Sequence, residues 1–371
     1  MSAIIAKRVS NYELFYDLVF VLATSSLTGL LHGDHVGFKE ILSFITANII
    51  IMTLWSNETI YLNKYGERDF LDIFTIIPAM YLIGNLSLNF NNEFELTALP
   101  FNAFLTLSYV LIFLQYFLRG RKIGFNEDIK ATMHMLIYYI ATFAIATLLV
   151  SLNLWSFDER ILWVYFIPMG ISYLFQGKIS HDPINFPHIV ERCQLITIIT
   201  FGETVIAIIK NYPFADLPIE GILLFLAMAT LFIFYISQTY LNIDHHRKAD
   251  VTILLYAHLV IILGLNFFTV AMEMFPSSHG ELATPLLIAG NLLFYGGILA
   301  TSLYNQELYR LDSKILLIYG LILVVGNLAI YLSNHHSIIL FIFLNLMTHA
   351  IILINARHHR LANQSMVGEG Q

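Results

Sequence analysis

The stretch that decides the fold is residues 217–241, LPIEGILLFLAMATLFIFYISQTYL, an apolar run with a single charged residue, Glu220. About 20 apolar residues form a helix long enough to cross the hydrocarbon core of a bilayer. Similar runs cover almost the whole chain of 371 residues, of which 57% are hydrophobic and 12% charged, whereas soluble domains carry roughly 25% charged residues. The composition therefore predicts an integral membrane protein without a soluble catalytic domain.

Twelve apolar runs of spanning length follow one another along the chain. They are too long for the ~9–11-residue strands of a membrane barrel, and a backbone in hydrocarbon must satisfy its own hydrogen bonds, so we expect α-helices. The fold class is therefore an all-α polytopic membrane protein with twelve transmembrane helices. The predicted spans are Tyr12–Leu31, Glu40–Leu62, Phe70–Asn89, Pro100–Leu118, Lys130–Leu152, Phe157–Gln176, Ile189–Lys210, Leu217–Leu241, Asp250–Met274, Leu282–Tyr304, Ser313–Leu332 and Ser337–Asn355.

Basic residues indicate the orientation, because short cytoplasmic loops collect Lys and Arg. If the N-terminus is cytoplasmic, all but three of the 19 Lys and Arg residues lie on the cytoplasmic side. The three on the other side are Lys39, Arg160 and Lys210. This bias predicts that both termini are cytoplasmic.

Composition also weighs against several function classes. The net charge of −7 and the scattered basic residues do not indicate a basic patch that could bind nucleic acid. The single cysteine, Cys193, allows no intramolecular disulfide. The adjacent pairs His245-His246 and His358-His359 lack the three or four convergent ligands that zinc needs. We therefore predict no metal site and no cofactor.

Short matches between the two parts of the chain predict an internal repeat. In the same order, each feature recurs 178 or 179 residues later: Glu13 as Glu191, Tyr61-Leu62-Asn63 as Tyr240-Leu241-Asn242, Arg68 as Arg247, and Asp72 as Asp250. We expect two parallel six-helix halves, residues 1–176 and 189–355, joined by a cytoplasmic linker, 177–188, and followed by a disordered tail, 356–371. Parallel halves of this kind are typical of transporters that bind substrate between them.

Arg68 and Arg247 lie five residues after the repeated asparagines, at predicted helix ends. We expect each to form a structural ion pair with a carboxylate at the same interface. The candidate carboxylates are Glu13, Asp17, Asp72, Glu191 and Asp250.

Ionisable side chains inside the spans are the strongest pointers to function. Each costs at least ~2.5–3.5 kcal/mol near a helix centre and needs a partner, a proton or water. Glu13 and Asp17 are four residues apart and share a helical face, so a cation or a shared proton is expected nearby. The alternatives are an ion-pair cluster that fixes the first helix and an entrance for a cation or proton.

A second group of ionisable residues lies on the seventh span, which begins with His188, Glu191 and Arg192. Glu203 lies twelve residues beyond Glu191, about 18 Å deeper at ~1.5 Å per residue. A carboxyl group at that depth either carries a proton or is a protonated structural group. The remaining candidates for a substrate or ion site are Glu58 in the second span and His258 in the ninth.

Three motifs are similar to signatures of the bacterial low temperature requirement protein A (LtrA) family. They are ELFYDLVFV at residues 13–21, His188-x-x-Glu191-Arg192 followed by FGE at 201–203, and Tyr256-Ala-His258. Phe201 departs from the expected leucine. The resemblance implies a multi-pass protein of the bacterial inner membrane linked to growth at low temperature, and it implies no biochemical activity.

Three functions stay open at this point. The leading hypothesis is a secondary transporter of a small solute or ion in the lipid bilayer, with proton coupling as one option. The first alternative is a non-catalytic membrane sensor or cold-adaptation component. The second is a membrane-embedded lipid or quinone enzyme using Glu13, Asp17 and Glu191. We favour the transporter and expect no enzymatic activity.

Overall fold

The computed structural model describes residues 7–31, 36–90, 94–154, 159–175, 178–179, 184–216, 218–276 and 280–369. Within these ranges the chain is helical and forms no β-strand beyond one isolated bridge. Eleven of the described helices are long and apolar enough to cross a membrane. The predicted fold class, an all-α polytopic membrane protein, is confirmed.

Twelve α-helices occur in the described part of the chain. They are α1 (Asn11–Ser26), α2 (Phe38–Tyr65), α3 (Phe70–Leu88), α4 (Phe94–Ile123), α5 (Glu127–Ser151), α6 (Ile167–Phe175), α7 (Phe186–Asn211), α8 (Pro218–Ile236), α9 (Thr252–Met274), α10 (Gly280–Thr301), α11 (Ser313–Leu332) and α12 (Ser337–Glu369).

The sixth predicted span is divided where the other spans are long helices. Its first part, Glu159–Phe166, is a 3-10 helix, and only Ile167–Phe175 is α-helical. Pro168 explains where the α-helix begins, because proline lacks the N–H group that a helix interior needs and fits the first turn.

The chain divides into two compact units. The first contains Met1–Ile196 with Lys248–Asp250, and the second contains Thr197–Arg247 with Val251–Gln371. Residues 177 and 180–183 of the predicted linker, 177–188, lie outside the described residues, and α7 begins at Phe186, within its last three positions. The internal repeat stays a prediction.

The C-terminal tail differs from the disordered segment that we predicted. α12 continues through residues 356–369 before it ends at Glu369. Helix formers such as Ala356, Arg357 and Leu361 follow the apolar span without a proline, and the helix ends next to the late glycine Gly368.

In the second unit, α9 and α10 pack with their backbones in close contact. A Cβ atom added to Gly297 would lie 2.8 Å from the carbonyl oxygen of Ala257, and one added to Gly264 would lie 2.6 Å from the backbone nitrogen of Phe294. In a bilayer the hydrophobic effect does not drive helices together, so membrane helices associate by close packing, which small residues at the contact allow. The α9–α10 contact is therefore a glycine-dependent interface.

In the first unit, capping fixes the start of α1. The Oγ atom of Ser10 accepts a hydrogen bond from the backbone N–H of Glu13, and the Glu13 carboxylate accepts the Ser10 backbone N–H at 2.7 Å. This reciprocal capping box satisfies two otherwise unpaired donors. It also fixes Glu13 at the entrance of α1, one turn before Asp17.

Candidate functional site

A fully buried ion pair joins α1 to α7. Asp17 accepts hydrogen bonds from Nε of Arg192 at 2.9 Å and from its Nη2 atom. The indole Nε1–H of Trp55, on α2, donates to the same carboxylate at 2.7 Å. The Arg192 guanidinium also lies 5.8 Å from the centroid of the Trp55 ring. Arg192 thus supplies the cation that the Glu13 and Asp17 spacing led us to expect.

Glu13 extends this pair by one helical turn. Its Oε2 atom accepts hydrogen bonds from Ser10, and its Oε1 atom lies 3.3 Å from Nε2 of His188 and 3.6 Å from Nη1 of Arg192. Glu13, His188 and Arg192 are all buried. The first predicted group and two members of the second, His188 and Arg192, therefore meet, whereas Glu191 and Glu203 lie elsewhere, as described below.

Asn63 fixes the tautomer of His188. The Asn63 side chain donates through Nδ2 to the Asn185 carbonyl and accepts the Asn185 N–H through Oδ1, both at 2.9 Å. This double contact sets the orientation of the amide, so the Nδ2 atom that lies 2.9 Å from His188 Nδ1 is a donor. His188 Nδ1 therefore accepts, and Nε2 carries the proton that faces Glu13.

Glu58 lies on α2, almost one turn beyond Trp55, and is fully buried. Its Oε1 atom accepts a 2.6 Å hydrogen bond from Nε2 of Gln115, which also donates to Oγ1 of Thr75 at 3.0 Å. Its Oε2 atom has no hydrogen-bond partner. Within the described ranges, no basic side chain forms an ion pair with Glu58.

Asp72 forms the other buried ion pair of this region. Its Oδ1 atom lies 3.0 Å from Nη2 of Arg119 and accepts a hydrogen bond from the Tyr61 hydroxyl at 3.1 Å. Arg119 reaches outward from there to Glu67 at 2.6 Å and Asp69 at 3.3 Å. We define the ionic cluster as seven residues of the first unit: Glu13, Asp17, Glu58, Asp72, Arg119, His188 and Arg192.

The two ion pairs predicted for Arg68 and Arg247 are replaced by other contacts. Asp72 Oδ2 accepts the backbone N–H of Arg68 at 2.8 Å, and Arg119 takes the place of the Arg68 guanidinium. Arg68 has a φ of 60° and donates through its side chain to the carbonyl of Arg8. Arg247 donates to the carbonyl of Leu303 at 3.2 Å and lies over a tyrosine ring. Both guanidinium groups satisfy carbonyl acceptors instead of carboxylates.

The other candidates from the sequence occupy different surroundings. Glu191 and Asp250 are exposed, and Glu203 is partly exposed on α7. His258 is fully buried in the second unit. Its Nδ1 atom donates to the Leu254 carbonyl at 2.8 Å, and its Nε2 atom lies 3.1 Å from the Tyr235 hydroxyl. Both ring nitrogens of His258 therefore have partners, as a structural histidine requires.

Sequence reasoning missed Gln115, Arg119 and Lys7. Gln115 and Arg119 are four residues apart and share a face of α4, so the spacing rule applied to the first span would have found them. The Lys7 ammonium group caps the C-terminal end of α2, at 2.5 Å from the Leu62 carbonyl and 2.6 Å from that of Gly66. Burial lowers the pKa of Lys7. Sequence offers no signal for this contact, because it joins segments far apart in the chain.

The chemistry of the ionic cluster suits proton or ion binding. It holds four carboxyl groups and two guanidinium groups, all buried. In the part of the chain that the structure describes, no three His, Cys, Asp or Glu side chains are arranged to hold a metal ion. The cluster thus contains more acidic than permanently basic groups.

Comparison with known families matches residues 8–356 to the family described as bacterial low temperature requirement A protein (LtrA). Comparison with curated proteins finds no match. The matched range includes all seven residues of the ionic cluster and the three motifs noted in the sequence. The chain belongs to the LtrA family.

Proposed function

We propose that this LtrA-family protein is a secondary transporter that moves a small solute or ion across the cell membrane, coupled to a cation. The observation that carries the proposal is the imbalance of charge in the ionic cluster. Ionisable groups in spanning helices are expensive and mark ion pathways or proton relays. A cluster that serves only packing would pair each ionised carboxylate with a base, since an unpaired buried charge is destabilising.

A further ion pair in the first unit, outside the ionic cluster, shows the contrast. Lys64 Nζ lies 2.9 Å from Asp128 Oδ1, and both side chains are buried. There the carboxylate has a lysine beside it. In the ionic cluster, Arg192 is bound to Asp17 and Arg119 to Asp72, which leaves Glu58 without a base. The excess of carboxyl groups over bases supports cation coupling.

The test is transport in liposomes that contain the purified protein. Imposed proton and sodium gradients are combined with a panel of radiolabelled small solutes, and protein-free liposomes provide the background. We expect gradient-dependent uptake of at least one solute, reduced at least tenfold by Glu58→Gln. Glu191→Gln, which alters an exposed carboxylate, is the matched control and should retain uptake.

Glu203→Gln in the same assay distinguishes the two roles left open for this α7 residue, a proton carrier and a protonated structural group. Loss of coupled uptake in the folded variant would favour the proton carrier, and full activity would favour the structural group.

The alternative is a non-catalytic membrane component in which the ionic cluster holds helices together. The observation that favours it is the complete set of partners on Asp17, which ties α1, α2 and α7 to one another. If folded protein moves no member of the panel under either gradient, and Glu58→Gln behaves as wild type, this structural role replaces the transporter.

A further inference from the structure

We propose that Glu58 is the site that binds and releases the coupling cation, and that this cation is a proton. The inference rests on the proposed transport function and names its coupling ion. It starts from the position of Glu58 in a spanning helix, with its whole side chain buried. A carboxylate in such a place needs a counter-charge or a proton.

Neither buried arginine of the cluster provides the counter-charge. Arg192 uses Nε and Nη2 on Asp17, and its Nη1 atom is 3.6 Å from Glu13. Arg119 is committed to Asp72, Glu67 and Asp69. The partner of Glu58 is instead Gln115, a neutral amide. A proton is the simplest species that makes this contact electrically neutral.

Two unpartnered acceptors support a proton in particular. The Oε2 atom of Glu58 and the Oε1 atom of Gln115 are both buried and both lack a hydrogen-bond donor. A buried acceptor without a donor costs roughly 1–3 kcal/mol. Proton uptake converts Glu58 Oε2 from an acceptor into a hydroxyl donor. The protonated carboxylic acid and the Gln115 amide then have complementary donors and acceptors, which the ionised carboxylate does not offer.

Ionisable groups from four other helices act on Glu58. They are Glu13 and Tyr16 from α1, Asp72 from α3, Tyr116 from α4 and Arg192 from α7. The surroundings therefore contain two further carboxylates and one guanidinium group, which is itself bound to Asp17. This setting favours a neutral Glu58 at rest and makes its ionised state dependent on movement of Arg192 or entry of water.

The hydrogen bonds of Glu58 also show how a proton would act on the helices. Gln115 bridges Glu58 on α2 to Thr75 on α3, and Gln115 itself belongs to α4. Without the proton, both carboxylate oxygens of Glu58 are acceptors, so only the amide N–H groups of Gln115 can bind them. With the proton, Glu58 can also donate a hydrogen bond to the amide oxygen of Gln115. Proton binding at one atom thus changes the contacts among three helices.

The experiment is infrared difference spectroscopy of the purified full-length protein in lipid nanodiscs during a pH titration. The readout is the carbonyl stretching band of a protonated carboxylic acid, with its shift on exchange into heavy water. Among the bands that titrate, we expect one that disappears in Glu58→Gln and persists in Glu191→Gln. If Glu58→Gln removes none of these bands, the proposal is overturned.

Two further arms keep the result decisive. If Glu58→Gln fails to fold, as judged by circular dichroism and gel filtration, Glu58→Asp replaces it, and the band should shift in frequency. The titration is also run in sodium chloride and in choline chloride. An equal midpoint in both supports the proton. A midpoint that sodium shifts to lower pH, so that half-protonation needs at least tenfold more protons, assigns the site to Na⁺ and overturns the proposal.

These measurements need no transport, so the two proposals fail separately. A Glu58 band in a protein that moves no solute would refute the transporter and keep the proton site. Proton-driven uptake that survives Glu58→Gln would keep the transporter and refute the proton site.

Discussion

The buried pair of Asp17 and Arg192 allows a quantitative test by a double-mutant cycle. Arg192→Gln removes two of the three donors that Asp17 receives and leaves only Trp55. Because the carboxylate stays buried, we expect the free energy of unfolding to fall by about 3–5 kcal/mol. Asp17→Asn removes the carboxylate charge and leaves the buried Arg192 guanidinium without a counter-charge, so we expect the free energy of unfolding to fall by a similar amount.

The double variant Asp17→Asn/Arg192→Gln has no buried charge at this contact. We therefore expect it to be more stable than the sum of the two single losses predicts, by at least about 2 kcal/mol, within the range measured for residues in contact. The control is Arg68→Gln, which changes an exposed arginine. It should lower stability by no more than about 0.5 kcal/mol.

The assay is equilibrium unfolding in mixed micelles with increasing dodecyl sulfate, followed by far-ultraviolet circular dichroism. Strictly additive losses, or a stability of Arg192→Gln equal to that of the control, would refute the conclusion that this ion pair joins α1 to α7.

Two other predictions concern packing and pH. Gly297→Ala places a methyl group 2.8 Å from a backbone carbonyl, whereas Gly296→Ala meets no atom within 4 Å. Because both substitutions gain the same helix propensity, the Gly297→Ala variant should be less stable than the Gly296→Ala variant by about 1–3 kcal/mol in the same unfolding assay. Equal stabilities would contradict the close α9–α10 contact. The hydrogen bond from Lys122, with a smaller contribution from Arg119, lowers the pKa of Glu67. The difference in unfolding free energy between the wild type and Glu67→Gln should therefore be fully present above the ordinary glutamate pKa of about 4.3. It should vanish as the pH falls through the lowered pKa of Glu67. A difference that grows on acidification would contradict the lowered pKa.

Much of the fold follows from local sequence because a spanning segment is defined by its own length and polarity. The sixth segment is the informative exception, since its hydropathy indicates a span while Pro168 determines where a regular helix begins. Arg119 was missed as a site residue because the predicted fourth span ended at Leu118, one residue before it, and helix ends read from sequence are uncertain by several residues.

The candidate site was predictable only in part. The four-residue spacing of Glu13 and Asp17 indicated a shared face and a nearby cation, but helical periodicity holds no information about which distant helix supplies that cation. Arg192 could be identified as the partner only from the packed helices. Glu58 was a candidate because it lies in a predicted span. That it forms no ion pair could be seen only from the packed helices, in which Arg119 and Arg192 bind other carboxylates.

The sequence separation of the Asp17–Arg192 pair has a consequence for biosynthesis. The two residues are 175 positions apart, and ribosomes add about 5–20 residues per second. Arg192 is therefore synthesised about 9–35 s after Asp17. During this interval the first helix must be inserted with its carboxyl group lacking its final partner. The nascent first unit thus cannot complete its interior until the start of α7 has been translated.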